Sequence, residues 1–203
     1  MNRPLPVESI SSHADFRPLA SIAGIGVELR YASANNFVGR DLYSPLDCAW
    51  LHRHAVSGLE KTVAWLARER ADVRLLVLDA LRPQRVQEAL WEALQGTDLL
   101  GYLANPVRGS IHSFGMAVDI TLVDRHGHEL DMGSPFDELS ERSHPALEGA
   151  MRARGELTET HVDNRRLLRA SMLEGGFNGI NSEWWHFDCG DRDLVRAEYT
   201  RIL

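Results

Sequence analysis

The chain has 203 residues, of which 44% are hydrophobic, so it can bury the core of one compact domain. Its formal net charge of −7 argues against nucleic acid or an anionic membrane as a partner, because an acidic surface repels both. A small molecule or a peptide is the expected ligand. No stretch reaches the roughly 18 apolar residues of a membrane span, and the amino terminus lacks the apolar core of a signal peptide. Cys48 and Cys189 lie outside any metal-type pair spacing, and we expect two reduced thiols in a cytoplasmic protein.

The first part of the chain predicts an arm, a strand and a long helix. Residues 1–24 contain three prolines and favour an irregular amino-terminal arm, whereas residues 25–203 are expected to form a single domain. Residues 27–31 favour a short strand, which the turn residues around Gly39 follow. Between residues 49 and 70 apolar side chains recur at helical spacing, which predicts an amphipathic helix.

A buried strand and a second helix come next. Residues 73–80 form a near-continuous apolar run, which is typical of a strand inside a sheet. Pro83 suits the first turn of a helix, and good helix formers continue from residue 84 to Gly96, where the helix is expected to end. Arg82 is therefore predicted at a junction between strand and helix, a position from which side chains commonly reach a site.

The second half of the chain mixes loops with short strands and one further helix. In chain order we predict a loop at 97–109, a strand at 116–123, a possible antiparallel return at 129–132, a long ordered excursion at 133–159, a helix from Thr160 to Gly175, and a last strand at 183–189. A long excursion in a compact domain is more often functional than idle.

Two distant segments together carry the side chains of a hydrolytic metal site. One reads Ser-Ile-His-Ser-Phe-Gly-Met-Ala-Val-Asp and ends at Asp119, and the other reads Glu-Trp-Trp-His and ends at His186. Catalytic zinc is usually held by three protein ligands, with a fourth position left for water. His112, Asp119 and His186 can supply those three. Glu183 lies three residues before a ligand, close enough to take a proton from that water.

Spacing by itself leaves several interpretations open. The ligands are split between distant segments, so the pattern also fits histidines with ordinary structural roles. Arg82 could pair with a surface carboxylate, or it could stabilise the oxyanion formed when water attacks a carbonyl. Of Trp184 and Trp185, one is expected to pack in the core and the other to line the site. This interpretation is favoured over an aromatic platform for a ligand. For His144 a site role stays undecided.

The order of motifs extends well beyond the metal ligands, from about residue 27 to 188. The further segments are Arg30-Tyr31-Ala32, Asn36-Phe37-x-Gly39, Asp79-x-x-Arg82-Pro83, Met132-Gly133-Ser134-x-Phe136-Asp137, Glu141-Arg142-Ser143-His144 and Asn164-Arg165-Arg166. Together with Ser110-x-His112-x-x-Gly115-x-Ala117-x-Asp119 and Glu183-Trp-Trp-His186, they resemble the zinc D-alanyl-D-alanine dipeptidases, the VanX-like family.

The resemblance implies a fold and a catalytic set. The fold would be a single α+β domain of the hedgehog and DD-peptidase type, with a mainly antiparallel central sheet flanked by helices and the zinc site at one rim. His112, Asp119 and His186 would bind one catalytic zinc ion. Glu183 would be the general base, and Arg82 would stabilise the transition state.

The resemblance also implies a substrate. Asp137, with help from Tyr31, would receive the free ammonium of a small D-amino-acid dipeptide, and Ser110 would lie beside it. The expected reaction is hydrolysis of D-Ala-D-Ala to two D-alanines, in peptidoglycan precursor or turnover metabolism. Two alternatives stay open: a related zinc D,D- or L,D-carboxypeptidase acting on muropeptides, and a zinc-containing binding protein without turnover.

The chain departs from the family pattern at a few places. Leu81 stands where an aromatic residue is common, Phe114 stands where a polar residue is common, and residues 191–203 replace the usual carboxyl-terminal tail. We expect these changes to surround the substrate rather than the metal. The sequence thus predicts the catalysis more firmly than a strict preference for D-Ala-D-Ala.

Overall fold

The centre of the molecule is a five-stranded sheet. The computed structural model describes residues 3–203, and within them the strands are Phe16–Pro18 (β1), Ile25–Val27 (β2), Trp50–His52 (β3), Val73–Asp79 (β4), Ala117–Asp124 (β5), Phe177–Gly179 (β6) and His186–Cys189 (β7). The central sheet has the order β2-β4-β5-β7-β6, and β1 pairs with β3 separately. β2 and β4 are parallel, whereas the other three neighbouring pairs are antiparallel. The prediction of an α+β fold with a mainly antiparallel sheet is confirmed.

Helices pack against this sheet. The α-helices of the described residues are Arg53–Glu69 (α1), Gln84–Ala93 (α2), Glu148–Ala153 (α3), Glu159–Glu174 (α4) and Arg192–Glu198 (α5). α1 contacts α4, and both helices contact the sheet. Ala55, Val56 and Leu59 of α1 are buried, as the helical spacing predicts. Among residues 3–203, no helix has both the length and the apolar character needed to span a membrane.

β4 and β5 form the interior of the sheet. Every residue from 117 to 123 is buried, and so are Leu75, Val77 and Leu78. Strands that are covered on both faces appear in sequence as near-continuous apolar runs, and the predicted interior strand at 73–80 is confirmed. β4 ends shortly before α2 begins, so Arg82 lies at the predicted junction.

The strand predicted for residues 27–31 is wrong in its position. β2 ends at Val27, and Arg30–Ala32 is a 3-10 helix. The backbone amide of Glu28 still bonds to the β4 carbonyl of Val77, but pairing stops there. The 3-10 turn places the Tyr31 side chain in the interior, where only 2% of the residue is exposed.

The strand predicted for residues 183–189 is shorter than expected and begins at His186. Trp184 and Trp185 are both buried. Both indoles therefore lie in the irregular backbone that precedes β7. The Nε1–H of Trp184 donates to the Oγ of Ser134 at 3.0 Å, and the Trp185 ring packs on Phe136 with their centroids 5.4 Å apart.

The predicted loops contain short regular elements. Asp98–Tyr102 is a 3-10 helix within the predicted loop at 97–109, and α3 lies within the excursion at 133–159. The return expected at 129–132 is reduced to a single bridge between Glu129 and β5. α4 corresponds to the helix predicted from Thr160 to Gly175, and the side chain of Thr158 caps its first turn.

The amino-terminal segment packs against the carboxyl-terminal end of the chain. Val7–Ser12 is a 3-10 helix, and β1 follows it. Val7, Ile10 and Phe16 form a buried cluster with Leu81 and Ile202. The described part of residues 1–24 is therefore attached to the domain by apolar contacts and by the β1–β3 pair.

Gly115 terminates the turn that carries His112, and we expect Gly115→Ala to destabilise the fold. Its φ of +63° is unfavourable for other residues, and a Cβ there would lie 2.8 Å from the backbone nitrogen of His52. Strain and overpacking together should lower the free energy of unfolding by about 3 kcal/mol in urea titrations. Gly127→Ala is the matched control, because Gly127 also has a positive φ but open space around it. An equal loss of unfolding free energy in both variants would contradict a destabilisation caused by the close approach of Gly115 to the His52 backbone.

Candidate active site

Two neighbouring strands and the turn before one of them bring the predicted metal ligands together. Asp119 of β5 lies directly opposite His186 of β7 in the antiparallel register. His112 lies on the 3-10 turn Ile111–Phe114, which Gly115 ends before β5 begins. Residues 74 places apart in the chain thus meet at one place on the sheet.

The three ligand side chains converge on one point. The Nε2 of His112 lies 3.1 Å from the Nδ1 of His186, and each of these nitrogens lies close to the Oδ1 of Asp119, at 3.3 and 3.0 Å. Two imidazole nitrogens and a carboxylate oxygen form a donor set that zinc favours in catalytic sites. His112 and Asp119 are buried and His186 is nearly so. The residues present therefore fit a single zinc ion.

The remaining nitrogen of each imidazole has its own partner. The Nδ1 of His112 lies 2.8 Å from the carbonyl oxygen of Ala80, and the Nε2 of His186 lies 2.9 Å from the Oδ1 of Asp188. Each of these nitrogens can donate its hydrogen there, which leaves a lone pair on the nitrogen that faces the other ligands. Such outer hydrogen bonds fix the tautomer and orient the ring toward a metal.

Asp188→Asn is expected to weaken zinc binding. The substitution keeps the shape of the side chain but removes the negative charge that supports His186. We expect zinc affinity to fall about 10- to 100-fold in competition with a chromophoric chelator. Asp163→Asn, on an exposed carboxylate of α4, should leave the affinity unchanged. Equal affinities of wild type and Asp188→Asn would show that this contact does not support the ligand.

Arg82 is held firmly beside the ligand Asp119. Its Nε and Nη2 donate to the Oδ2 of Asp79 at 2.9 and 2.7 Å, and Nη2 also donates to the Oδ2 of Asp119 at 3.1 Å. Nη1 donates to Gln87 at 3.2 Å. The two oxygens of Asp119 are thus divided, because Oδ1 faces the histidines and Oδ2 faces Arg82. Asp79 is completely buried and accepts a further hydrogen bond from the hydroxyl of Tyr43.

Glu183 lies beside the triad, and no hydrogen bond to its side chain is found within residues 3–203. Burial raises the pKa of Glu183 to about 7. A carboxylate with a pKa close to neutral, and without a protein partner to occupy it, suits a group that accepts and returns a proton.

A second acidic side chain, Asp137, lies at another part of the same cavity. Its Oδ1 accepts a hydrogen bond from the Tyr31 hydroxyl at 3.1 Å, and its Oδ2 accepts one from the Phe37 backbone amide at 3.4 Å. Burial and then the nearby carboxylate of Asp119 raise the pKa of Asp137 to about 8. Its φ of +63° is strained for a residue with a side chain. The arrangement holds a carboxyl group where a cationic partner would favour its ionised form.

One cavity of about 260 Å³ contains all eight predicted site residues in its wall: Tyr31, Arg82, Ser110, His112, Asp119, Asp137, Glu183 and His186. Trp185 also lines it, whereas Trp184 packs in the core. His144, whose role the sequence leaves undecided, is not in the wall. Its Nε2 lies 2.8 Å from the hydroxyl of Tyr102, and Tyr102 does line the cavity.

The sequence reasoning missed several residues that support or line the site. Asp188 carries a usable signal, since it follows His186 by two residues in a strand and must lie on the same face. Tyr43 and Gln87 act through contacts between distant segments, which spacing does not predict. Arg108, Arg192 and Arg196 also line the cavity.

The expectation that the departures from the family pattern surround the substrate is wrong for two of them. Leu81 is buried in the cluster with Val7 and Ile202, because adjacent side chains point to opposite sides and Arg82 takes the side facing the site. Phe114 is buried in the main core, beneath the guanidinium of Arg201. Neither residue lines the cavity. The tail does contribute, through the two arginines of α5.

Comparisons with known proteins agree with this geometry. The model of the D-Ala-D-Ala dipeptidase family, peptidase M15, matches residues 12–202. A D-alanyl-D-alanine dipeptidase of Escherichia coli strain K12 is 41% identical over 165 residues, which cover 80% of this chain and 77% of the relative. Another, from Enterococcus faecium, is 31% identical over 201 residues, which cover 88% and 92%. The solved LD-carboxypeptidase LdcB aligns over 94% of this chain and 80% of its own, with a TM-score of 0.49 and 14% identity, too distant to argue from. The chain therefore belongs to the D-Ala-D-Ala dipeptidase family of M15 metallopeptidases.

Proposed function

We propose that the protein is a zinc-dependent dipeptidase that hydrolyses D-Ala-D-Ala to two D-alanines. The observation that carries this proposal is the single cavity in which a zinc-type triad, a half-buried Asp137 and a Glu183 without a side-chain hydrogen bond in residues 3–203 lie together. The names of the relatives support the substrate. The proposed zinc ligands are His112, Asp119 and His186.

The proposed mechanism divides the work among few side chains. A bound zinc ion would polarise the scissile carbonyl and lower the pKa of a water molecule. Glu183 takes the proton of the attacking water on its carboxylate and passes it to the leaving amine. Arg82 uses four of its five N–H donors on Asp79, Asp119 and Gln87. The remaining Nη1 donor is available for the oxyanion that forms on the carbonyl.

Recognition of the amino terminus is assigned to Asp137. A carboxylate held by Tyr31 and the Phe37 amide presents negative charge to the ammonium of a dipeptide. A substrate extended or blocked at its amino terminus would lose this contact and leave the Asp137 carboxylate without a cationic partner. Ser110 lies in the same wall, which supports a proposed position beside the substrate.

Release of alanine from matched substrates tests the function. Zinc-loaded protein is incubated with D-Ala-D-Ala, L-Ala-L-Ala and N-acetyl-D-Ala-D-Ala, and free alanine is measured. Turnover of D-Ala-D-Ala alone is the expected result. Efficient hydrolysis of the acetylated compound would favour a carboxypeptidase acting on muropeptides, and no turnover of any of the three would overturn the proposed substrate.

The acid side of the pH profile should report Glu183. Its pKa is raised, and a general base works only when ionised, so kcat falls as pH decreases through that pKa. We expect kcat to decrease about tenfold per pH unit on the acid side, with a midpoint at or below pH 7, because a bound cation favours the carboxylate. Zinc content is measured across the same range. A decrease in kcat that only follows loss of zinc would contradict the assignment.

A cytoplasmic location is proposed together with this activity. Cys48 is buried, Cys189 is half-buried and both are free thiols, which is usual in a reducing compartment. Hydrolysis of D-Ala-D-Ala there would either recover alanine from cell-wall turnover or remove a peptidoglycan precursor.

A further inference from the structure

Three arginines line the candidate catalytic cavity without any role in the proposed mechanism. Arg192 and Arg196 lie one turn apart on α5, and Arg108 lies on the loop that precedes Ser110. α5 belongs to the segment that replaces the usual tail of the family. The cavity thus has a cationic wall whose residues come from a part of the chain that the motifs do not cover.

Arg196 is oriented by the backbone rather than by a buried acid. Its Nε donates to the carbonyl of Gly109 at 3.1 Å, and only 15% of its side chain is exposed. The carboxylate nearest to it is Asp193 at 3.3 Å, which is 83% exposed and also pairs with Arg108. Ion pairs with exposed carboxylates contribute little. Burial and repulsion from Arg108 lower the pKa of Arg196, so a bound anion would stabilise its charged form.

Arg192 is connected to the metal ligands. Its Nε donates to the Oδ2 of Asp188, whose other oxygen accepts from His186. Within the described residues, its two terminal nitrogens have no hydrogen-bond partner, so they are available to donate to a ligand. Arg192 of the cationic wall is therefore connected through Asp188 to His186, a proposed zinc ligand, by two hydrogen bonds.

The cationic wall and Asp137 are connected to the triad through different ligands. On one side, Asp119 contacts Arg82, which lies 4.9 Å from the ring centre of Tyr31, and Tyr31 bonds to Asp137. On the other side, His186 contacts Asp188 and then the arginine wall. A second, more open hollow of about 730 Å³ shares Arg108, Asp188 and Arg192 with the cavity but not Asp137. The cavity therefore has an acidic end and a basic end.

We propose that Arg196, together with Arg192 and Arg108, binds the free carboxylate of the second residue of the dipeptide. This inference rests on the proposed function, because a zwitterionic dipeptide cleaved between the two ends places its ammonium and its carboxylate on opposite sides of the scissile bond. Guanidinium groups match carboxylates in shape and charge. Asp137 and the arginine wall together would set the length of the substrate at two residues.

The test compares D-Ala-D-Ala with D-Ala-D-alaninamide, which lacks the negative charge. Wild type should favour the free acid about 10- to 100-fold in kcat/KM, because hydrogen bonds between charged groups contribute that much. Arg196→Gln should reduce kcat/KM for the acid by a similar factor and should change kcat/KM for the amide little. If Arg196 had only a structural role, the substitution would reduce kcat/KM for both substrates equally, and that result would overturn the proposal. Arg108→Gln, at a side chain that is 64% exposed, provides a second variant that keeps the fold.

A binding measurement separates this proposal from the proposed function. Zinc-loaded Glu183→Gln protein is titrated calorimetrically with both compounds, and tighter binding of the acid supports the arginine wall even if wild type shows no turnover. Equal binding of the two compounds, or binding of neither, would overturn the carboxylate site. Turnover of both compounds at equal rates would do so too, while leaving the dipeptidase function intact. Arg166→Gln, on an exposed side chain of α4, is the matched control and should keep the preference.

Discussion

Replacing Glu183 by glutamine is expected to lower kcat for D-Ala-D-Ala hydrolysis by about a hundredfold to ten-thousandfold while the protein keeps its zinc. Glu183 is not one of the three converging ligands, and no protein group donates to its carboxylate within residues 3–203. Glutamine keeps the volume and the polarity of the side chain but cannot accept a proton at neutral pH. The loss should therefore fall on kcat rather than on metal binding.

Two measurements accompany this substitution. Zinc content shows that the triad is intact, and the binding constant for D-Ala-D-Ala shows that the cavity still receives the substrate. A variant that binds zinc and substrate but hydrolyses at the wild-type rate would refute the role of Glu183. Loss of zinc together with activity would instead place Glu183 among the groups that hold the metal.

Arg82→Ala is expected to lower both activity and stability. Removal of a group that stabilises an oxyanion typically reduces kcat by about a hundredfold to a thousandfold. Asp79, which is completely buried, would lose its guanidinium partner, while the hydrogen bond from the hydroxyl of Tyr43 would remain. Breaking a buried ion pair in this way costs about 3–5 kcal/mol. Urea unfolding measures the second effect, and kcat measures the first.

Arg82→Lys separates the two effects. Lysine retains the charge near Asp79, but it cannot donate to Asp79, Asp119 and Gln87 at once in the geometry of the guanidinium. We expect this variant to recover part of the lost stability while kcat stays low. Full activity in Arg82→Lys would contradict the need for a remaining Nη1 donor.

The metal ligands could be predicted from sequence because each lies in a short motif with its own local structure. Gly115 ends the turn that carries His112, and Asp119 follows on an apolar strand whose composition is distinctive. Their meeting with His186 depends on the register of β5 and β7, which spacing alone cannot supply. The family resemblance supplied the missing information, because the pattern of the family contains both distant segments.

Other features depend on contacts that no local pattern records. β6, and the strand β2 that pairs in parallel with β4, have only three residues each, which is too short for a periodicity. The sequence predicts a strand that includes Trp184 and Trp185, whereas in the structure β7 begins only at His186. Leu81 and Arg82 are neighbours in sequence, yet only Arg82 faces the cavity.

The predicted loop at 97–109 and the carboxyl-terminal tail show the same limit. The arginines of α5 are ordinary charged residues in sequence, and their position in the cavity wall follows from how the carboxyl-terminal end packs beside the loop around Arg108. Leu5 and Ile202 join the two ends of the chain by a parallel bridge. Such contacts across nearly the whole chain are determined by the complete fold.

Titration of the metal-free protein with zinc tests most directly whether His112, Asp119 and His186 hold the catalytic ion. Zinc is removed with a chelator, and D-Ala-D-Ala hydrolysis is followed as zinc is returned in fractions of one equivalent. Activity should rise linearly and reach its plateau at one zinc ion per chain, and His112→Ala protein should show no such rise. Full hydrolysis by the metal-free protein, or an unchanged titration in His112→Ala, would contradict the proposed metal centre.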